Sequence, residues 1–174
     1  MINFKEKINK FILEYNFNDH QNEKVKIENL IKKYPNEIKL LQTIGIFFAQ
    51  NKKFEDAIII FKKILKKDFK SVETLINLGL TYYELNKLDE ALKYLKKAMS
   101  FNIKQSKVFF SLGLVYEKKN NIIEALKYYT KSAESDSSNV DVFLNLANVH
   151  LQNQNFNKAI KNYDLKDKWR ILPK

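Results

Sequence analysis

The stretch TLINLGLTYYELNKLDEALKYLKKA, residues 74–98, carries a glycine at 79 and an alanine at 91, each set among apolar residues at helical spacing. Leu75, Leu78 and Tyr82 share a face with Gly79, and Leu88 and Leu95 share one with Ala91. Between them Asn86-Lys87 breaks the pattern, so two short helices joined by a turn are expected. Moving 34 residues in either direction reproduces the same slots. The chain's glycines are Gly45, Gly79 and Gly113, and the alanines follow as Ala57, Ala91, Ala125 and Ala159. Leu41, Leu75 and Phe109 precede the glycines by four positions, as Phe143 precedes Ala147 in a fourth copy. Phe48, Tyr82, Tyr116 and His150 follow that slot by three, and Phe61, Leu95, Tyr129 and Tyr163 follow the alanines by four. An internal period of this length, held at many slots, marks a stack of repeated helical hairpins.

This register resembles the tetratricopeptide repeat, a 34-residue unit with an apolar residue, Leu-Gly, Tyr, Ala and an aromatic in that order. The resemblance covers four repeats, 38–71, 72–105, 106–139 and 140–174, with a degenerate capping hairpin at 1–37 before them. It implies an all-α fold, a right-handed superhelical solenoid of antiparallel helix pairs, A then B in each repeat. The glycine slot lies where A crosses B, and a side chain there would push the axes beyond the usual ~8–10 Å. Glycine within a helix costs about 1 kcal/mol relative to alanine, which close packing must offset. Asn51, Asn86, Asn120 and Asn153 fall between A and B, where a left-handed residue is expected. Ser71 and Asn139 are expected to cap the following A helices. The family's proline near the end of helix B is replaced by Phe69, Ile103 and Ser137. Lys166 and Asp167 are polar where earlier repeats are apolar, as a terminal face requires, while Trp169, Ile171 and Leu172 still need cover.

Composition removes several classes of function. Cysteine is absent, which excludes disulfides, thiolate metal sites and thiol catalysis. His20 and His150 are far apart, so no histidine metal site or Ser-His-Asp arrangement is readable, and neither cofactor nor metal is expected. His20 falls in a polar turn and His150 in a packing slot. The glycines are isolated within helices, so there is no phosphate-cradling loop. An enzyme is not expected. No apolar run is long enough to cross a membrane and no secretory signal is readable, so a cytoplasmic protein is expected. The net charge of +11 comes almost wholly from lysine, with Arg170 the one arginine. Lysine, asparagine and isoleucine abound together, as an AT-rich genome would produce, and the lack of arginine argues against base recognition.

The resemblance further implies that the A helices line a concave face that holds an extended peptide or a partner helix. Four lines of residues fall on it. Lys39, Glu73, Lys107 and Asp141 alternate in charge along one rim. Thr43, Asn77, Ser111 and Asn145 are small and polar, and asparagine there could hold a peptide backbone. They are similar to the asparagine ladder of protein O-linked N-acetylglucosamine transferases, at two positions of four. Gln42, Ile76, Phe110 and Leu144 form a third line, expected to be exposed and apolar. Ile46, Leu80, Leu114 and Asn148 form the fourth, with Tyr83 nearby. The carboxylate clamp of repeat proteins that grip chaperone tails is not matched, since only Asn77 and Lys107 fit its slots. Lysines gather instead on the B helices, at 62, 63, 66 and 67, at 93, 96 and 97, and at 127 and 131, without aromatic interleaving.

The reading that results is a non-catalytic protein–protein interaction module binding a peptide or amphipathic helix in its groove, with self-association open. Two alternatives stand beside it. One is a basic solenoid that binds RNA or another polyanion. The other is a repeat segment of a larger transferase-type protein, suggested by the ending KDKWRILPK.

Overall fold

The computed structural model describes residues 37–103 and 105–170, together with residues 6, 25, 28, 29, 32 and 33. The expected N-terminal cap falls almost wholly outside these residues, as do His20, Ile171 and Leu172, and the side chains of Lys166, Asp167 and Trp169. Eight helices follow one another without a strand among the described residues. They are α1 (Ile38–Gln50), α2 (Phe54–Lys67), α3 (Val72–Glu84), α4 (Leu88–Met99), α5 (Gln105–Lys118), α6 (Ile122–Ser135), α7 (Val140–Gln152) and α8 (Phe156–Arg170). Each odd helix packs on the even helix after it, each even helix on the next odd one, and α1 and α5 flank α3. Contacts thus run between neighbours along the stack, and the fold is an all-α helical repeat solenoid.

The B helices α2, α4 and α6 are strongly two-faced. In α4, Ala91, Leu95 and Ala98 are buried, while Asp89 and Glu90 occupy the first turn and Lys96 and Lys97 the last. α2 repeats this polarity, with Glu55 and Asp56 at its start and Lys66 and Lys67 at its end. Both ends suit the helix dipole. The apolar stripes join in one core cluster from Leu40 to Tyr128 and a second around Ala125, Tyr129, Val142, Leu146 and Val149.

The glycines sit at the crossings. A Cβ on Gly45 would lie 2.6 Å from Phe61, one on Gly79 would lie 2.7 Å from Leu95, and one on Gly113 would fall against the ring of Tyr129. Each partner is the aromatic-slot residue of helix B in the same repeat.

The turns correct two expectations. Asn86 and Asn120 are left-handed, with φ of 57° each, but in the first and last repeats the left-handed residues are Lys52 (60°) and Gln154 (55°). Asn51 and Asn153 stand one position earlier as ordinary helix C-caps, with φ of −89° and −87°. The left-handed position keeps the 34-residue period, and chemistry that favours asparagine yields to it. Asn139 caps α7 through the amide of Asp141, as expected. Ser71 precedes α3 but does not cap it. Its hydroxyl shares a 2.9 Å hydrogen bond with that of Thr74 and accepts another from Gln42 Nε2 at 3.3 Å.

Two substitutions test the crossing. Overpacking a close-packed contact costs ~1–3 kcal/mol, and alanine's better helix propensity returns about 1 kcal/mol. Leu95 can move aside, whereas the Tyr129 ring is held by its hydroxyl, which donates to Glu117 Oε2 at 2.6 Å. Gly113→Ala should therefore lower the urea midpoint, followed by circular dichroism, clearly more than Gly79→Ala. Equal midpoints would show that ring rigidity does not limit the crossing.

Candidate functional site

The A helices α1, α3, α5 and α7 carry all the residues singled out for the concave face. The outer line behaves simply, since Lys39, Glu73, Lys107 and Asp141 are all exposed and alternate in sign.

The small polar line is less available than its composition suggests. Thr43 Oγ1 donates to the Lys39 carbonyl at 3.0 Å, Ser111 Oγ to that of Lys107 at 2.8 Å, and Asn145 Nδ2 to that of Asp141 at 2.8 Å. These three donors close on their own helix, the usual local competition of short polar side chains. Asn77 differs, because its Nδ2 is buried with no hydrogen-bond partner.

The third line is not an exposed apolar strip. Ile76 is only 5 % exposed and belongs to the core. Gln42 bridges repeats, donating to Thr74 Oγ1 at 2.9 Å. Phe110 lies with its ring 5.8 Å from that of Tyr129, and Leu144 is half-buried. Packing between A helices covers Ile76 and engages Gln42, whereas Phe110 and Leu144 stay partly exposed, so the line is not a continuous apolar strip.

Of the fourth line, Ile46 and Leu80 border a cavity. Ile46, Leu80, Leu114 and Asn148 are half-buried, although Asn148 Oδ1 already accepts the Tyr163 hydroxyl at 2.7 Å. Between α1 and α3 the face deepens into a cavity of about 380 Å³. Ile46, Ala49, Phe54, Phe61 and Leu80 supply its apolar lining; Gln50, Lys52, Asn77, Thr81 and Glu84 supply the polar atoms. Sequence reading missed Ala49, Gln50 and Glu84, whose register places them on the A-helix face four and five positions after the glycine slot. It also missed Phe54, which enters from the start of α2. Tyr83 sits beside this region under Lys118, whose Nζ is 4.3 Å from the ring centroid and donates to the Tyr83 carbonyl at 3.0 Å. Burial foremost, then Glu84 and Glu117, raise the Tyr83 hydroxyl above its ordinary pKa.

On the convex side, lysines and aromatics are interleaved after all. Tyr82 stacks on Tyr94 and Tyr116 on Tyr128, with centroids 5.5 and 5.4 Å apart. Lys62 lies over Tyr82, Lys127 over Tyr128 and Lys131 over Phe109, at 5.7, 5.3 and 5.7 Å. A hydrogen bond to Tyr82 holds the Lys62 ammonium above its usual range. Spacing along one helix could not reveal these pairs, because most join two helices. The rings are already occupied by one another and by lysine.

Among the described residues no cluster of metal-ligating side chains forms, and no helix is long and apolar enough to cross a membrane. A stack of helical hairpins, with a partly apolar cavity between two A helices, fits a repeat protein of the protein-interaction class. Tetratricopeptide-repeat family models match residues 72–102 and 106–139, and these matches support a protein of that family. No curated protein matches it by sequence. Solved structures similar in fold include a crystal structure of MamA, at 19 % identity and a TM-score of 0.72, covering 90 % of this chain and 95 % of that one. MamA 41-end from Desulfovibrio magneticus RS-1 has 13 % identity and a TM-score of 0.74 over 96 % and 93 %. Pseudomonas aeruginosa PilF has 23 % identity and a TM-score of 0.74 over 95 % and 78 %.

The fourth repeat departs from the register at His150, where Tyr82 and Tyr116 stand earlier. Its Nδ1 is buried without a partner, and burial foremost, then Lys158, hold the imidazole pKa below its usual 6.5. A lowered folded pKa means that the unfolded chain binds the proton better. The stabilising contribution is therefore present above pH ~6.5 and is lost as pH falls through the folded value. Melting temperatures should drop between pH 7.5 and 5, and His150→Tyr should flatten that slope; an unchanged slope would place the acid sensitivity elsewhere.

Proposed function

We propose that this chain is a non-catalytic adaptor that captures an extended peptide segment of another protein in its concave face, anchored at the cavity between α1 and α3. The observation that carries this reading is the Asn77 amide, buried and without a partner at the edge of that cavity. A buried unsatisfied donor costs ~1–3 kcal/mol. A ligand main-chain carbonyl reached by a small rotation of the side chain would recover that energy. Ile46, Phe54 and Leu80 meanwhile offer apolar surface to one bulky apolar ligand side chain. A cavity of about 380 Å³ lies at the small end of the ~300–1,000 Å³ typical of ligand pockets, so it suits one anchor residue. The alternating rim of Lys39, Glu73, Lys107 and Asp141 would set the direction of the bound segment rather than its affinity.

Co-purification from native lysate tests this with three baits. These are the wild type, Asn77→Ala/Leu80→Glu in the groove, and Ile123→Glu at a position 80 % exposed on α6. The groove variant should lose a discrete partner, by at least about tenfold in recovery, while keeping its helicity; the α6 variant should retain it. Retention of every partner by the groove variant would overturn the reading.

A further inference from the structure

The edge formed by the B–A turns carries chemistry that the groove does not use. Phe69 and Ile103 occupy equivalent positions in consecutive turns, 34 residues apart, and are 56 % and 57 % exposed. Lysines surround them. Lys70 and Lys97 lie with their Nζ atoms 5.5 and 5.7 Å from the Phe69 ring centroid, and Lys97 reaches it from the last turn of α4. Lys66, Lys67 and Lys96 are exposed in the last turns of α2 and α4. The one carboxylate in these two turns, Asp68, accepts the backbone N–H of Lys70 at 3.1 Å. The acids of α2 and α4 stand in the first turns, at the opposite end of each helix. A helix rises ~1.5 Å per residue, so roughly 15 Å in α2 and roughly 10 Å in α4 separate them from the lysines, beyond the screening length of ~8 Å at physiological salt. The first turn of α3 adds one exposed acid, Glu73, against the five lysines of this edge, Lys66, Lys67, Lys70, Lys96 and Lys97. The third turn ends the pattern, with Ser137 in the apolar slot and Asp136 and Glu134 beside it.

We propose that this edge, from Lys66 to Ile103, is a docking surface for an anionic phospholipid bilayer. Phe69 and Ile103 enter the headgroup layer, and the surrounding lysines pair with lipid phosphates and carboxylates. The charge fits, because polybasic segments are drawn to the negative surface of such membranes, and exposed apolar side chains set among lysines add burial at the interface. A single-stranded nucleic acid fits less well. Phe69 could stack on a base, but Ile103 has no π face to offer.

Binding of the full chain to extruded phosphatidylcholine vesicles, with and without 30 mol % phosphatidylserine, tests the proposal by co-sedimentation. The wild type should bind the anionic vesicles at least about tenfold more tightly and weaken as salt rises. Lys66→Gln/Lys70→Gln/Lys97→Gln should lose affinity by about 100-fold, at roughly fivefold per lysine. Phe69→Ser/Ile103→Ser should lose about tenfold with charge unchanged. The altered side chains are all exposed, and circular dichroism verifies that the variants fold. Equal binding to neutral and anionic vesicles would overturn the proposal, as would wild-type binding by the Phe69/Ile103 variant. Tighter binding to a single-stranded RNA 20-mer than to vesicles, indifferent to Ile103→Ser, would assign the lysines to nucleic acid instead.

Discussion

Everything in this solenoid rests on how closely each A helix approaches its B helix at the glycine slot. With hydrogen in place of a Cβ, Phe61, Leu95 and Tyr129 fill the crossing directly against the A-helix backbone. That contact buries the aromatic slot of helix B completely. It also constrains the turn. A hairpin so tightly closed must reverse the chain at a fixed distance from the crossing, and the left-handed residue falls seven positions after the glycine slot in every repeat, at 52, 86, 120 and 154. Two of those positions hold lysine or glutamine, residues that adopt this conformation less readily than asparagine or glycine. Crossing geometry therefore prevails over turn chemistry.

A second layer of interactions sets one repeat against the next. Gln42 reaches from α1 to Ser71 and Thr74 at the start of α3. Lys118 reaches back from α5 to the Tyr83 carbonyl, and Lys119 pairs with Asp89 at 2.7 Å. The last is an exposed ion pair, worth ~0–1 kcal/mol at most, so its importance lies in register rather than stability. The first two meet backbone or part-buried hydroxyl groups. Gln42 and the buried Ile76 thus tie the line three positions before the glycine slot into the packing between repeats.

Residues that recur at one period were legible in the sequence, because a repeated packing problem has a repeated solution. The glycine crossings, the aromatic partners, the helix starts and the cap at Asn139 belong to this group. Sequence was a poor guide wherever a side chain had a choice of partners. Thr43, Ser111 and Asn145 turn back on their own helices, and Gln42 crosses to another. Composition alone cannot separate those outcomes. The cavity was illegible for a related reason. It depends on Ala49 being small and on Phe54 entering from α2, two elements that no single helical wheel brings together. The interleaving of lysine with aromatics also arises across helices, from α2 to α3 for Lys62 and Tyr82.

The two surfaces proposed to bind are carried by different parts of the repeat. The cavity opens on the A helices near the A–B turn, where Gln50, Lys52 and Glu84 lie. The basic edge is built from the ends of the B helices and the turns that follow them. A helix of about 13 residues spans ~20 Å, so the two lie at opposite ends of each hairpin. Charge segregation within α2 and α4 reinforces the separation, since acids gather at the end nearer the cavity and lysines at the end farther from it. A chain resting on an anionic surface by its lysine edge would keep its groove away from that surface. The same helix-dipole preference that stabilises α2 and α4 thereby gives this half of the stack a polarity. Repeated in parallel, a local rule about helix ends becomes an orientation for the solenoid.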